Sequence, residues 1–194
     1  QQLEEETPRL ESLSVSDNKG LKRKRVGQDM FTQECVKEWQ SPRIKAWEAR
    51  HSAPDSYYYR FVVPGEGQQN GAWSAEEHKL FMQRYHEWMT KGYKIGNAWG
   101  VFSMGIPHRV GYQCMNYYRK LVSDGKLKDE SYTIINGKLK QVVKDKAFGS
   151  HVLISDLGPA WQDEDVKQQE KQVDQWIKEF HGSKLSARPV SKPK

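Results

Sequence analysis

Apolar residues recur at helical spacing in four stretches of this chain, and polar or glycine-rich segments separate them. The stretches predict helices within residues 30–50, 74–90, 109–122 and 163–181, and a short helix around Trp99 lies between the second and the third. In the last stretch the apolar face consists of Val166, Val173, Trp176, Ile177 and Phe180. The pattern therefore predicts a mainly α-helical protein.

Capping residues and glycines mark where these helices begin and end. Ser41 and Pro42 supply an N-cap and a first-turn proline for a second piece of the first stretch. Ser74 and Glu77 stand at the spacing of a capping box, in which each side chain binds the other residue's backbone N–H. Asn97 can cap the short helix that follows. Glycines then end the helices, including the last one at residue 182.

Two segments favour extended structure. The run Tyr57–Val63 is rich in aromatic and β-branched residues, which predicts a strand or an extended segment. It stops at Pro64–Gly67, a turn-rich sequence typical of a linker. In Tyr132–Val142, Asn136-Gly137 separates two strand-like runs, which predicts a β-hairpin with a two-residue turn.

The composition predicts one ordered region with disordered ends. The 194 residues are 36% hydrophobic, and the mean hydropathy of −0.91 is too polar for one compact globule of this length. The net charge of +6 favours a polyanionic partner. Residues 22–25, all cationic, resemble a nuclear-import sequence and predict a nuclear protein; they are Lys22, Arg23, Lys24 and Arg25.

Several function classes find no support in the sequence. No apolar run approaches the length of about 18 residues that a membrane span needs. Cys35 and Cys114 are far apart and form no metal-binding motif. Phosphate loops, nucleophile elbows and zinc-protease motifs are missing, so we expect no enzyme, cofactor, metal or small-molecule substrate.

The stretch from Trp73 to Val122 carries the most specific pattern. Three large aromatics, Trp73, Trp99 and Tyr118, fall at one place in each of three helical segments and predict a small aromatic core. The third helix has an outer face that mixes cations with an amide and suits the major groove of DNA: Tyr112, Met115, Asn116, Arg119 and Lys120. Four further cationic residues are candidates for phosphate contact: His108, Arg109, Lys79 and Lys94.

This stretch resembles the Myb/SANT family. The resemblance is carried by Trp73 with Ser74-Ala75-Glu76-Glu77, by Trp99-Gly100, by Ile106-Pro107-His108-Arg109-Val110, and by Gln113-Cys114 with Tyr118 and Leu121. It implies a three-helix fold with a helix-turn-helix, whose third helix enters the major groove in DNA-binding members. The family's groove-reading asparagine falls on Asn116, and its neighbouring lysine on Met115. The third tryptophan is Tyr118 here, and residues 90–96 form an extra loop.

The chain is then expected to divide into six regions around a Myb/SANT-like helix-turn-helix unit. These are a disordered tail with the import-like run (1–29), a helical or extended flank and linker (30–71), the three-helix domain (72–123), a hairpin and loop region (124–160), an amphipathic helix (161–182) and a basic tail (183–194). We expect a nuclear protein that binds double-stranded DNA in transcription or chromatin.

A protein-interaction module of the SANT type is the alternative. Its targets would be histone tails or subunits of a chromatin complex, although the basic third helix argues against histone tails. The 161–182 helix could dock on such a subunit through its apolar face, or pack onto the core of this chain. The sequence leaves both arrangements open.

Overall fold

The computed structural model describes residues 30–142 and 152–186, with side chains as far as residue 182. The described residues are mainly helical, with one small antiparallel hairpin, as the sequence predicts. The elements are α1 (Gln33–Lys37), α2 (Ser41–Glu48), α3 (Pro54–Tyr58), α4 (Ala75–Thr90), α5 (Trp99–Ser103), α6 (Gly111–Ser123), β1 (Tyr132–Ile135), β2 (Lys138–Gln141) and α7 (Glu164–Ser186). Two short 3-10 helices, Ile154–Leu157 and Pro159–Gln162, precede α7.

The first and last helices pack together. Val173 and Ile177 of α7 are buried, and α7 lies against α1. Asp174 accepts a 2.7 Å hydrogen bond from the indole of Trp47 on α2 and pairs with Arg50 at 3.1 Å. The apolar face of the C-terminal helix therefore covers the chain's own core, so its docking on a partner subunit through that face is not supported. The helix also continues through Gly182, where an end was predicted.

The segment Tyr57–Val63 forms no strand: Tyr57 and Tyr58 are helical, contrary to the prediction, while residues 61–63 belong to no helix or strand. Its beginning belongs to α3, which starts at Pro54, where the fixed φ of proline suits the first turn of a helix. Tyr57 and Tyr58 are fully buried, and their rings contact each other at 5.1 Å. The aromatic residues that suggested a strand therefore pack into the core from a helix.

Helix α4 begins as predicted, but the caps of α2 and α5 differ. Ser74 and Glu77 form the full capping box. Gln40 rather than Ser41 precedes α2, and Ala98 rather than Asn97 precedes α5, with no side-chain cap of its own. The N-terminus of α5 is instead satisfied from α3, because the Asp55 carboxylate accepts from the Gly100 N–H at 2.7 Å.

Aromatic rings join α4, α5 and α6. Trp99 and Tyr118 are buried with ring centroids 5.3 Å apart, in agreement with the predicted core. Trp73 is only half-buried, contrary to that prediction: it stacks on Tyr117 at 4.2 Å and reaches the other rings through Phe81. Tyr117 is half-buried as well and forms the outer wall of the core beneath Trp73.

The hairpin follows α6 and is held to it. Strands β1 and β2 pair in register from Tyr132 opposite Gln141 to Ile135 opposite Lys138, and both turn residues, Asn136 and Gly137, have positive φ, as a two-residue hairpin turn requires. At its base, the Tyr118 hydroxyl donates to Asp129 at 2.5 Å. The predicted hairpin is confirmed.

Candidate nucleic-acid interface

Two side chains on the outer face of α6 are open to solvent. Asn116 and Lys120 lie one helical turn apart and are exposed. In the described part of the chain, neither side chain takes part in a hydrogen bond or an ion pair. An amide and an ammonium group therefore stand side by side with their hydrogen-bonding capacity unused.

Tyr112 and Met115 share this face but are half-buried by the preceding segment. The amide of Gln68 donates to the Tyr112 hydroxyl at 2.7 Å, and the Tyr112 ring lies 6.3 Å from the ring of Tyr59. The Tyr59 hydroxyl in turn donates to the Met115 sulfur at 3.5 Å. A phenol both donates and accepts, so the Tyr112 hydroxyl keeps its own proton for another partner.

Arg119 borders the same face on the side of the hairpin. Its Nη2 atom lies 3.4 Å from the Leu139 carbonyl oxygen of β2, and it pairs with no carboxylate in the described residues. A guanidinium carries five N–H donors, so one carbonyl contact leaves most of them available. The arginine thus ties the hairpin to α6 and still presents positive charge.

Arg109 was predicted to contact phosphate, and the structure contradicts this. It is buried, its Nη2 donates to Glu77 at 3.0 Å, and further donors reach the carbonyls of Gly71 and Ala72. Burial alone would raise the pKa of Glu77, but hydrogen bonds from Arg109 and from Ser74 lower it below its ordinary value of 4.5. Arg109 therefore pairs with Glu77 inside the protein and fixes the start of α4, so its charge is not available to a phosphate.

His108 was also predicted to contact phosphate, and it too is buried. Its backbone N–H donates to Glu66, and its ring Nδ1 lies 2.7 Å from the Gly67 carbonyl oxygen. The segment 64–71, predicted as a linker, is therefore docked on the loop that leads into α6. At the start of α6 the Tyr112 N–H donates to the Tyr59 carbonyl at 3.1 Å, so this backbone donor is not available to a phosphate.

Two other cations of the Trp73–Val122 stretch, Arg84 and Lys91, also bind groups of the protein itself. Arg84 is buried and donates to the carbonyls of Val101 and Phe102, while Lys91 pairs with Asp156 and Glu87. Those two charges therefore hold elements together.

Lys79 and Lys94, both predicted to contact phosphate, are not buried. Lys79 is exposed on α4, next to His78, whose Nδ1 lies 2.5 Å from the Tyr117 hydroxyl. Lys94 is half-exposed and lines the same cleft as Met115. Both lysines remain candidates for phosphate contact.

A cleft of about 290 Å³ opens beside Met115, between α6, the loop before α5 and the hairpin. It is lined by two carboxylates, a lysine and aromatic rings: Asp55, Asp129, Lys94, Tyr59, Trp99 and Tyr132. Burial raises the pKa of Asp55, against the lowering effect of its bonds to Gly100 and Val101. Both carboxylates are bound internally, since Asp129 also accepts from the Ser131 N–H at 2.8 Å.

Four residues that help to position the outer face of α6 lie outside this helix and were not among the predicted site residues. They contact α5, α6 or the loop between these helices across more than 40 positions of the chain; they are Asp55, Tyr59, Glu66 and Gln68. Pro54-Asp55 could have indicated a helix start, because proline and an acidic residue are typical of a first turn. No local pattern gives the contacts over that distance.

Other sequence predictions concern thiols, metals, membranes and the tails. Cys114 is fully buried, and burial raises the pKa of its thiol. The described residues hold no group of three or more metal-ligating side chains, and their helices include none with the length and apolarity of a membrane span. The cationic run 22–25 and residues 187–194 lie outside the described residues.

No family model, no curated protein and no solved structure matches this chain.

Proposed function

We propose that this chain binds double-stranded DNA by placing the outer face of α6 in the major groove. The observation that carries the proposal is the pair Asn116 and Lys120, exposed and unpaired within the described residues, with Arg119 beside them. Asparagine can bond both N6 and N7 of adenine, while lysine and arginine can reach guanine or a phosphate. One helix face therefore offers both base-reading and charge-neutralising groups.

The proposed unit is α4, α5 and α6, arranged as in the Myb/SANT family. Support comes from the capping box at Ser74, the contact of Trp99 with Tyr118, and the order of the three helices. The cationic run at 22–25 fits a nuclear location, and duplex binding there fits a role in transcription or chromatin.

Fewer cations are proposed to contact DNA than the sequence predicts. Phosphates would be met by Arg119, Lys120, Lys79 and Lys94, and not by the buried Arg109. The N-terminus of α5 is also closed to phosphate, since the Asp55 carboxylate occupies it. The duplex is therefore held by the middle and the C-terminal half of α6 rather than by helix starts.

A salt titration tests this proposal. The double variant Arg119→Ala with Lys120→Ala is expected to weaken duplex binding and to make the slope of log affinity against log salt shallower by about two phosphate contacts, roughly 1.8 in all. Fluorescence anisotropy with a labelled duplex measures both quantities. The matched control removes two exposed lysines of α2 and α7, Lys45→Ala with Lys171→Ala, and should keep the wild-type slope. Equal slopes in the two variants would contradict the proposal.

Asn116 is tested separately, because it should carry sequence preference rather than charge. Selection from a random duplex library should enrich a motif with wild-type protein, and Asn116→Ala should relax one position of that motif. A lost bidentate contact corresponds to about 1–3 kcal/mol of discrimination, with the salt slope unchanged. If wild type is retained without enrichment of any motif, base reading by Asn116 is wrong.

A SANT-type protein-interaction module is the second candidate, favoured by the cleft beside Met115. Its three aromatic rings suit a lysine or arginine side chain of a peptide segment. The two functions separate experimentally by the ligand that the wild-type chain binds, a labelled basic peptide or a labelled duplex, in the same anisotropy measurement. A wild-type chain that binds basic peptides but no duplex would move the assignment to this candidate.

A further inference from the structure

The β-hairpin has an unusual surface for an element so close to the core. At its tip Ile134 and Ile135 are 57% and 42% exposed, and the turn residues between the strands are exposed as well. Two lysines of β2, Lys138 and Lys140, point into solvent from the following strand. Exposed isoleucines flanked by lysines combine an apolar tip with a positive stem.

The strand register places these residues in a defined order. Ile135 lies opposite Lys138 and Thr133 opposite Lys140, so that these four residues share one face of the hairpin. The other face carries Tyr132, Ile134 and Leu139, and on it Tyr132 and Leu139 lie toward the end of α6. The charged face therefore turns away from the core and is free for a ligand.

The hairpin is fixed next to the proposed DNA-binding face rather than elsewhere on the surface. Arg119 contacts the Leu139 carbonyl at 3.4 Å, and the ring of Tyr132 lies 6.3 Å from that of Tyr118. Both contacts join the hairpin to one edge of α6. The four paired residues of each strand span about 13 Å, and Ile135, Lys138 and the turn lie beyond these contacts.

Charge complementarity identifies the occupant. From Arg119 to Val142 the chain carries cations at Arg119, Lys120, Lys126, Lys128, Lys138 and Lys140. Three acidic residues oppose them, and one of these, Asp129, is bound to Tyr118 and Ser131. A polyanion suits this surface, whereas an apolar partner would have to bury the lysines without counter-charges.

We propose that the β1–β2 hairpin is a second DNA contact, which enters the minor groove next to the major groove held by α6. Lys138 and Lys140 contact phosphates, while Ile135, on the same face beside the turn, lies between base steps as an apolar wedge, a use of isoleucine in proteins that bend DNA. This inference rests on the proposed function. It adds a bend toward the major groove, which would press the duplex onto α6.

Three variants of the full chain test the hairpin. Lys138→Ala with Lys140→Ala should make the salt slope shallower by roughly 1.8 and remove hydroxyl-radical protection from one minor groove. Ile135→Thr keeps a β-branched residue in the strand; it should leave the slope unchanged, weaken affinity on the order of tenfold, and reduce bending measured by energy transfer between labelled duplex ends. The control is Lys45→Ala with Lys171→Ala.

The outcomes distinguish this inference from the proposed function. If wild type binds duplex and the Arg119 and Lys120 variant weakens it, while both hairpin variants behave as the control, the hairpin inference is overturned and the function stands. If wild type binds no duplex, both fall. If the isoleucine variant changes only the mass of the particle in light scattering, from dimer to monomer, Ile135 lies in an interface between copies and the wedge is wrong.

Discussion

Cations at the two ends of α6 have opposite surroundings. Arg109, just before the helix, is buried and paired with Glu77, whereas Arg119 and Lys120 near its end have no carboxylate partner in the described residues. Both ends look alike in a count of charges. Positive charge within one segment therefore stabilises the fold at one place and stays exposed at another, and long-range packing decides which.

The largest expected effect comes from removing the buried cation. Arg109→Ala leaves the Glu77 carboxylate buried without its partner, so the free energy of unfolding should fall by about 3–5 kcal/mol. Urea denaturation measures it, with Arg119→Ala as the control at the other end, expected within about 0.5 kcal/mol of wild type. Equal stabilities of the two variants would break the comparison.

The second largest loss of stability is expected at Gly111, where a side chain would enter the narrow space between the start of α6 and the backbone beside it. A Cβ at Gly111 would lie 2.7 Å from the Tyr59 Cα and 2.8 Å from the Gly100 backbone nitrogen. Gly111→Ala is therefore expected to cost about 1–3 kcal/mol of stability through overpacking. Ser123→Ala, exposed at the far end of α6, should change thermal stability little. If Gly111→Ala left the stability unchanged, the close packing of the start of α6 against the Tyr59 backbone would be contradicted.

A third, smaller effect concerns acid. Because the folded-state pKa of Glu77 is lowered below 4.5, its contribution to stability is complete above that pH and is lost as the pH falls through the folded value. Wild type should therefore lose stability more steeply than Glu77→Gln as the pH falls below about 4.5. Asp156, also with a lowered pKa, titrates in both proteins, so the difference between the two curves isolates Glu77. Parallel curves would contradict the prediction.

The smallest effect on stability is expected at Lys120. Lys120→Ala should leave the free energy of unfolding within about 0.5 kcal/mol, because the side chain is exposed and unpaired in the described residues. The same substitution should reduce the salt slope of duplex binding by about one phosphate contact. A variant that unfolds more easily but binds with an unchanged slope would reverse the roles assigned to the two ends.

Local chemistry could be predicted from the sequence where neighbours in the chain decide it. The capping box of Ser74 with Glu77 and the turn at Asn136-Gly137 depend on residues a few positions apart, and both are confirmed. The apolar stripe of α7 also gave the correct buried residues, Val173 and Ile177. Periodicity and turn chemistry are encoded at short range.

Predictions failed where a distant partner decides. The orientation of Arg109 depends on Glu77, 32 positions away, and the cap of α5 on Asp55, 45 positions away. The run Tyr57–Val63 has β-forming residues, but burial of Tyr57 and Tyr58 in the core favours a helix there. Of the candidate interface, the exposed Asn116 and Lys120 agree with the predicted outer face, while His108 and Arg109 do not.

The carboxylate that caps α5 sets a limit on how this chain can be divided. Asp55 lies in α3, outside the helix α5 that it caps, and a Cβ at Gly100 would meet the Asp55 carbonyl oxygen at 2.2 Å. A fragment cut to residues 72–123 loses that cap and leaves the glycine surfaces bare. Helices α4, α5 and α6 are therefore expected to keep this packing only in a fragment that also contains α3.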